Sequence, residues 1–378
     1  MRDGPSLNVV IAGAGRAGLE AMFRLHRLAG PRAQLTVLAA NEAFSNHALD
    51  VLLPFATPHA PRRKLAALAA AAGAEVHRGC VASIDVDAHH VITDAGETVP
   101  YDALLLAMGA VPRAPMAHAL CFGSDASRER MHGLVQDVEA GYVRRIAFVM
   151  PRGATWPVAL YELALMTAER AFDQCQTCEL TLLTGEPAPL AIFGAASAQA
   201  LRDRLVNAGI ALRTSVDVEV PARGRVEIDR GAERLSVDRV VTVPVLDGPA
   251  VDGIGHDGNG FLVVDDHGRV DGAADVYAAG DITSGPVKHG SLACRQADAA
   301  AEAIAAQAGV MLEPAAISPG LAGVVRTERD ALLMRCGTDA QGAPPEVVRR
   351  GAPGWPPTKI TGRELAPRLG APPAGRDA

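Results

Sequence analysis

The sequence predicts an α/β fold with two doubly wound parallel sheets, and three observations support this. The apolar runs LNVVIA (residues 7–12) and RRIAFVM (residues 144–150) read as buried strands. Each run is followed by a segment with helical spacing of apolar residues and then by a further strand. A last strand, DVYAAGD, follows much later in the chain. Continuous apolar strands that alternate with helices are typical of parallel sheets covered on both faces.

Length and composition restrict the class of protein. The 378 residues allow two or three domains with cores of their own, and 49% apolar with 21% charged residues is an ordinary globular composition. A net charge of −7 and an aromatic content of 4% argue against nucleic acid or an anionic membrane as the main partner. No run of eighteen apolar residues and no separate signal segment are found, so we expect a cytoplasmic protein, with peripheral contact at the inner face of the membrane left open.

The first turn carries glycines at the spacing of a dinucleotide site. LNVVIA is followed at once by GAGRAG, in which Gly13, Gly15 and Gly18 match G-x-G-x-x-G. Gly13 permits the tight turn, Gly15 lets the backbone approach a pyrophosphate, and Gly18 lets the helix pack closely on the strand. The phosphate would lie at the helix N-terminus, where free N–H groups favour an anion. A helix and a second strand follow, so a Rossmann-like site is predicted rather than a structural turn.

An acidic residue is expected at the end of the second strand, where it would bind a ribose hydroxyl. That strand, QLTVLAA, is followed by Asn41 and Glu42, so the nearest carboxylate comes a few residues late. Two interpretations of Glu42 stay open at this point: a ribose ligand or a solvated loop charge.

Two further segments complete the predicted flavin site. YDALLLAMGAVPR ends an apolar strand near Gly109, and DVYAAGD ends another in Gly280 and Asp281. Alternating strands between residues 80 and 109 predict a small β-meander. In order and spacing the segments resemble the FAD-binding parts of the two-dinucleotide flavoproteins, although Met108 replaces the usual Thr. The resemblance implies bound FAD, with its ribitol on Asp281 and its adenine near the backbone of Val81.

The second βαβ unit keeps its strands and helix but lacks the glycines of a nicotinamide site. After RRIAFVM comes PRGATWPVALYELAL, in which only Gly153 remains. Side chains in this turn would crowd a pyrophosphate, and Pro157 has no N–H to donate to it. The sequence therefore disfavours a nicotinamide as the electron donor.

Most of residues 7–369 resemble a group of FAD-dependent oxidoreductases related to sulfide:quinone oxidoreductase and type II NADH dehydrogenase, within the pyridine nucleotide-disulfide oxidoreductase-like family. The stretches that carry the resemblance include YELAL, VKHGSLACRQAD and PPTKITGRELAP. It implies that Glu162 lies near the flavin and the acceptor pocket, where it could relay protons. It also implies that Lys288 stabilises reduced anionic flavin and that His289 donates to the ring or shuttles a proton. The alternatives are a surface or salt-bridged Glu162 and a solvated turn at residues 288–289.

The cysteines give no metal or disulfide framework. Cys175 and Cys178 form C-x-x-C, but no second ligand pair is present for zinc, so no metal is predicted and loop thiols are expected. Sulfide oxidation needs thiolates beside the flavin, and Cys121, Cys294 and Cys336 are candidates that match no motif.

The predicted organisation is an FAD-binding domain in two parts, residues 1–112 and 247–312, with a NAD(P)-binding-like domain at residues 113–246. Residues 313–378 form a short C-terminal tail, Pro- and Gly-rich with one short helical patch, and the final residues APPAGRDA are expected to be disordered.

The predicted function is an FAD-dependent oxidoreductase that passes two electrons to a quinone or small electron acceptor from a donor other than nicotinamide. Its partners would be small molecules, with a homodimer open. One alternative is an NAD(P)H-dependent flavin reductase in which Glu186 binds ribose. Another is a non-enzymatic redox-sensing flavoprotein.

Overall fold

A five-stranded parallel sheet forms around the first predicted strand. The computed structural model describes residues 6–56, 62–317, 320–337, 346–352, 358–359 and 362–370, so the predicted disordered residues 371–378 lie outside the described residues. The first elements are β1 (Leu7–Ala12), α1 (Arg16–Ala29), β2 (Ala33–Ala39), β3 (Ala43–Phe44), β4 (Arg63–Lys64), α2 (Leu65–Ala70), β5 (Glu75–Arg78), β6 (Val81–Asp85), β7 (His90–Thr93), β8 (Thr98–Pro100), β9 (Ala103–Leu106) and β10 (Val111–Arg113).

The middle of the chain builds a second parallel sheet. Its elements are β11 (Leu120–Cys121), α3 (Asp125–Glu139), β12 (Arg145–Val149), α4 (Val158–Asp173), β13 (Glu179–Leu183), α5 (Ala195–Asn207), β14 (Ile210–Arg213), β15 (Val218–Ala222), β16 (Arg225–Ile228), β17 (Glu233–Ser236), β18 (Arg239–Thr242) and β19 (Val245–Asp247). The chain then returns to the first sheet through β20 (Val276–Ala278) and α6 (Gly290–Gln307). It ends in β21 (Leu321–Arg326), β22 (Ala331–Cys336), β23 (Glu346–Gly351) and α7 (Leu365–Gly370).

The first sheet has the strand order β20-β9-β1-β2-β5, and all its pairings are parallel. Helices α1 and α6 pack on one face and the antiparallel meander β6-β7-β8 covers the other. From β1 the chain runs first to β2 and β5 and later to β9 on the opposite side, so the order reverses between β1 and β9. Ligands of such sheets bind in the crevice at the carboxyl ends of the strands beside this reversal.

The second sheet repeats this plan with the order β11-β18-β12-β13-β14. Helices α3, α4 and α5 pack on one face, and the meander β15-β16-β17 covers the other. Both sheets therefore have the covered faces that their continuous apolar strands predict. The predicted α/β class with two Rossmann-like units is confirmed. Among the described residues, no helix is both long and apolar enough to cross a membrane.

The C-terminal part contains more structure than the predicted helical patch. β21, β22 and β23 form an antiparallel sheet whose apolar side chains join the core of the second unit. Val325, Leu332 and Met334 are fully buried there against α4 and α5. The composition of the tail predicts a loop-rich segment, because Pro and Gly surround these strands. The strands have an apolar surface to pack on only when α4 and α5 are in place. The predicted helical patch is α7.

Buried charges join α1, α6 and α7. The Glu20 carboxylate accepts the backbone N–H groups of Glu364 and Leu365, at 2.7 and 2.8 Å, and so holds the start of α7. Arg24 lies between the acidic side chains of α6 and Glu364. Among the described residues, the cations that pair with Asp298 on α6 are Arg24 and Arg363, and each stands 4.0 Å away.

The stability of this cluster should depend on pH through Asp298. Burial and the neighbouring Glu20 raise the pKa of Asp298 to about 7, with Glu302 adding to the effect and Arg363 and Arg24 opposing it. The folded protein therefore retains a proton between about pH 4 and pH 7 that the unfolded chain has lost, and stability falls as pH rises through this range. We expect Asp298→Asn to raise the melting temperature at pH 8 and to flatten its dependence on pH.

The check is thermal unfolding of both proteins at pH 5 and pH 8. Asp203→Asn, at an exposed position on α5, is the control and should leave the pH profile unchanged. Equal pH profiles for wild type and Asp298→Asn would contradict the assignment.

Candidate functional site

The three glycines of the first turn differ in what surrounds them. Gly13 has φ of +114°, and a Cβ there would stand 2.4 Å from the carbonyl oxygen of Ala107. A Cβ on Gly18 would stand 1.9 Å from the carbonyl oxygen of Gly13, so α1 lies against the turn itself. At Gly15 the nearest atom would be 3.9 Å away. Because no described residue fills the space beside Gly15, this opening fits the approach of a pyrophosphate.

The other two predicted segments end at the same edge of the sheet. Gly109 follows β9 with φ of +79°, and Gly280 follows β20 with φ of +87°. The Gly280 N–H donates to Gln296 on α6 at 2.9 Å, which fixes the turn against that helix. Asp281 is partly buried, and no hydrogen bond to its carboxylate is found among the described residues. A carboxylate without a partner at this place fits the ribitol hydroxyls of FAD.

Arg16 belongs to this site, although it occupies a variable position of the glycine motif. It begins α1, and its Nη2 donates to Oδ1 of Asn46 at 3.3 Å. Its Nε is buried without a protein partner among the described residues. Burial lowers the pKa of Arg16 and the carboxylate of Asp281 opposes this shift. An orphaned guanidinium nitrogen beside an open phosphate turn fits a diphosphate ligand.

His289 caps the N-terminus of α6 beneath a tryptophan from the second unit. Its imidazole stacks on Trp156 with ring centroids 3.7 Å apart and planes at 22°. Nδ1 is buried without a partner in the described part of the chain. Burial and the positive charges of Arg16, Arg295 and Lys359 hold its pKa well below the ordinary range. His289 is therefore neutral at pH 7, and its unpartnered ring nitrogen lies at the N-terminus of α6.

Lys288 is buried and turned toward the space between the two units. Its Nζ donates to the carbonyl of Thr283 and lies 3.9 Å from the centroid of the Phe261 ring. Burial lowers its pKa, while Asp281 and Asp257 raise it. Lys288 also lines a cleft of about 880 Å³ whose opposite wall is the β12–α4 turn, residues 151–155.

Glu162 on α4 is completely buried and paired. Its two carboxylate oxygens lie 2.6 and 2.8 Å from Nζ of Lys359, and Oε1 also accepts the N–H of Arg326 at 2.7 Å. Burial raises its pKa and the Lys359 charge lowers it. The structure thus places Glu162 in an ion pair with the C-terminal segment. Lys359 is not among the site residues predicted from the sequence, although it lies within the PPTKITGRELAP stretch.

Glu42 and Val81 lie near the end of β2. Glu42 pairs with Arg78 of the neighbouring strand β5, and both side chains are largely exposed. Val81 starts β6, shortly after Gly79, whose N–H donates to the Ala39 carbonyl at 3.2 Å. Both positions therefore stand at the sheet edge that carries the glycine turn.

The turn between β12 and α4 packs against the start of α6. Trp156 packs on His289 and meets Phe193 edge-on at 5.7 Å, and Lys288 N–H donates to the carbonyl of Thr155 at 3.2 Å. Pro157 caps α4 and offers no N–H. At the end of β13, one Glu186 oxygen accepts the Tyr161 hydroxyl at 2.6 Å, and the other is buried without a partner among the described residues.

All six cysteines are free thiols. Burial raises the pKa of Cys178 to about 11, and it also raises the pKa values of Cys121, Cys294 and Cys336. Cys175 is exposed. No cluster of metal-ligating side chains is found within the described residues.

The two glycines that differ most in their surroundings give a paired prediction. Gly18→Ala should lower the free energy of unfolding by about 2–3 kcal/mol, because its Cβ collides with backbone. Gly15→Ala has room in the protein and should leave unfolding of the flavin-free chain nearly unchanged, yet its methyl group should weaken binding of FAD. Denaturant unfolding and flavin content after purification measure the two effects. Full flavin content in Gly15→Ala would contradict the assigned phosphate position.

Solved structures confirm the fold. The sulfide:quinone oxidoreductase from the hyperthermophilic bacterium Aquifex aeolicus superposes with a TM-score of 0.82, covering 92% of this chain and 87% of that one at 18% identity. An NAD-dependent persulfide reductase from A. fulgidus gives a TM-score of 0.64 at 19% identity, over 89% of this chain and 65% of that one. NDH2 from Plasmodium falciparum gives 0.58 at 14% identity, over 74% and 64%.

Sequence comparison leads to the family. The NADH dehydrogenase-like protein MT1860 of Mycobacterium tuberculosis is 29% identical over 293 residues, which cover 73% of this chain and 72% of that protein. The sequence profile described as pyridine nucleotide-disulphide oxidoreductase matches residues 7–150 and 157–306. This match confirms the predicted cofactor, FAD, and the predicted class of enzyme, an oxidoreductase. The chain belongs to the pyridine nucleotide-disulphide oxidoreductase family.

Proposed function

We propose that this oxidoreductase passes two electrons through FAD from a donor other than nicotinamide to a quinone or another small electron acceptor. The observation that carries the proposal is the Trp156–His289 stack, with ring centroids 3.7 Å apart. Through this stack the β12–α4 turn packs on the flavin domain. The contact lies where α4 would need free N–H groups to bind a second pyrophosphate. Pro157 removes one of those donors as well.

Likeness in architecture supports the same proposal. The superposition on sulfide:quinone oxidoreductase covers 92% of this chain, and its TM-score of 0.82 exceeds the 0.64 found for the NAD-dependent persulfide reductase. A donor that reacts through a cysteine persulfide is disfavoured. Burial raises the pKa values of the Cys294 and Cys336 thiols, and thiolates are the reactive form. We therefore favour a donor that reduces the flavin directly.

The residues present define how FAD would be held. Its diphosphate would lie at the turn of Gly13, Gly15 and Gly18 with Arg16 beside it, and its ribitol would meet Asp281. The rest of the cofactor would be lined by four further positions: the turns at Gly109 and Gly280, the Glu42 carboxylate and the Val81 backbone. FAD itself supplies the two-electron chemistry when bound.

Three side chains would assist the electron transfer. The Lys288 cation would favour the negative charge that reduction places in the site. Neutral His289, with a free ring nitrogen at the end of α6, would hold or move a proton. Glu162, buried beside Lys359, would be the carboxylate from which a proton reaches the acceptor.

One observation favours an NAD(P)H-dependent reductase as the second candidate. Glu186 lies three residues after β13, near the place from which an acidic residue would bind a ribose, and one of its oxygens has no partner in the described chain. Its other oxygen is held by Tyr161 at 2.6 Å. A membrane surface, a homodimer and a non-catalytic redox sensor stay predictions made from the sequence.

Anaerobic flavin reduction tests the choice of donor. We expect the oxidised flavin band of the purified protein to persist when NADH or NADPH is added, because Trp156 packs on His289 and Pro157 offers no N–H at the start of α4. Dithionite should bleach the same sample, which controls for a reducible flavin. Bleaching by NADH within seconds would refute the proposal and favour the Glu186 alternative, and Glu186→Gln would then be expected to slow it.

Lys288 offers a prediction about the flavin potential. Lys288→Met should lower the midpoint potential by about 30 mV or more, the shift that corresponds to a tenfold change in a two-electron equilibrium. The reason is that the cation favours the reduced, more negative state of the site. Spectroscopic redox titration against dyes measures the shift, and Lys288→Arg, which keeps the charge, is the matched control. An unchanged potential in Lys288→Met would place Lys288 outside the flavin's electrostatic environment.

A further inference from the structure

Two C-terminal residues, Thr358 and Lys359, connect three parts of the molecule. Lys359 Nζ pairs with Glu162 of the second unit at 2.6 and 2.8 Å. The carbonyl of Thr358 accepts Nδ2 of Asn46 at 2.9 Å. Asn46 in turn accepts Nη2 of Arg16 at 3.3 Å. A continuous series of bonds therefore runs from α4, through the C-terminal segment, to the first residue of α1.

Buried contacts hold Lys359 and the start of α7 in place. Lys359 is 9% exposed and Glu162 1%, so neither charge can turn to water without leaving its partner uncompensated. The backbone of Lys359 has φ of +54°, a left-handed conformation that a lysine adopts only where its surroundings impose it. Five and six residues later, the N–H groups of Glu364 and Leu365 donate to Glu20, which fixes the start of α7. The segment is thus fastened on both units.

The far end of the series is the flavin site. Arg16 follows Gly15 directly and stands beside the open phosphate position. Its guanidinium has a long flexible stem, and among the described residues Asn46 is the partner that holds Nη2. The orientation of Asn46 depends in turn on the Thr358 carbonyl, because the two bonds use the two ends of one planar amide.

We propose that Lys359 is a positioning residue of the flavin site: by its ion pair with Glu162 it places the Thr358 carbonyl, which through Asn46 aims Arg16 at the FAD diphosphate. Lys359 acts through other residues and makes no contact with the cofactor in this scheme. The C-terminal segment would then complete the dinucleotide site of a domain that begins more than three hundred residues earlier. The inference concerns FAD binding and does not depend on the identity of the electron donor.

Release of FAD from the holoenzyme tests the proposal without any turnover. The readout is the rise of flavin fluorescence when the holoenzyme is diluted, which gives the dissociation constant for FAD. We expect Lys359→Met to raise this constant at least tenfold and Lys359→Arg, which keeps the pair with Glu162, to raise it less than threefold. Asn46→Ala should also raise the dissociation constant for FAD about tenfold. The double variant Asn46→Ala/Lys359→Met should have a constant no higher than that of the single variant that binds FAD less tightly.

Arg204→Met is the matched structural control. Arg204, whose own side chain is mostly buried, pairs with Asp330 just before β22 and so ties the C-terminal sheet to α5. This change should lower the melting temperature and leave FAD release unaltered. Asn46→Ala keeps the test valid if Lys359→Met does not fold, because it removes the relay without stranding a buried charge. Additive effects in the double variant, or a loss of stability with unchanged FAD affinity, would overturn the proposal in favour of a purely structural role.

Discussion

The close approach of α1 to the end of β1 is the contact on which the flavin site depends. A side chain at Gly18 would collide with the Gly13 carbonyl, and one at Gly13 would collide with Ala107 at the end of β9. The turn is therefore defined by backbone meeting backbone. α6 packs on α1 through small side chains, which brings Asp281 and His289 to the same edge of the sheet. Every later element of the site is placed relative to this turn.

Buried charges join the parts of the chain that this packing does not reach. Glu162 with Lys359 and Glu20 with the start of α7 each connect the C-terminal segment to a different unit. Such pairs contribute little net stability, since desolvation offsets their attraction, but losing one partner is costly. They therefore determine where the segment lies more than how stable the fold is. That property suits a segment next to a cofactor site.

The electrostatics of the site also fit a flavin enzyme. Arg16 and Lys288 carry positive charge near Asp281, while burial and the charges of Arg16, Arg295 and Lys359 keep His289 neutral. A site of this kind tolerates added negative charge and offers a ring nitrogen for a proton. In the second unit the same architecture lacks such features: its turn is occupied by Trp156 and Pro157, and its strand-end carboxylate by Tyr161. One fold therefore appears twice in the chain, and the first copy carries the open glycine turn.

The sequence by itself determined the two parallel sheets, the glycine turn and the cofactor, because local periodicity and glycine spacing are properties of short segments. LNVVIA became β1 without a change of boundary. Only the tertiary structure decided which distant residues meet. Lys359 pairs with Glu162 across 197 positions, and Asn46 reaches Thr358 across 312. No local pattern encodes such contacts. The sheet β21–β23 escaped prediction for the same reason, since the helices that bury it, α4 and α5, lie far earlier in the chain.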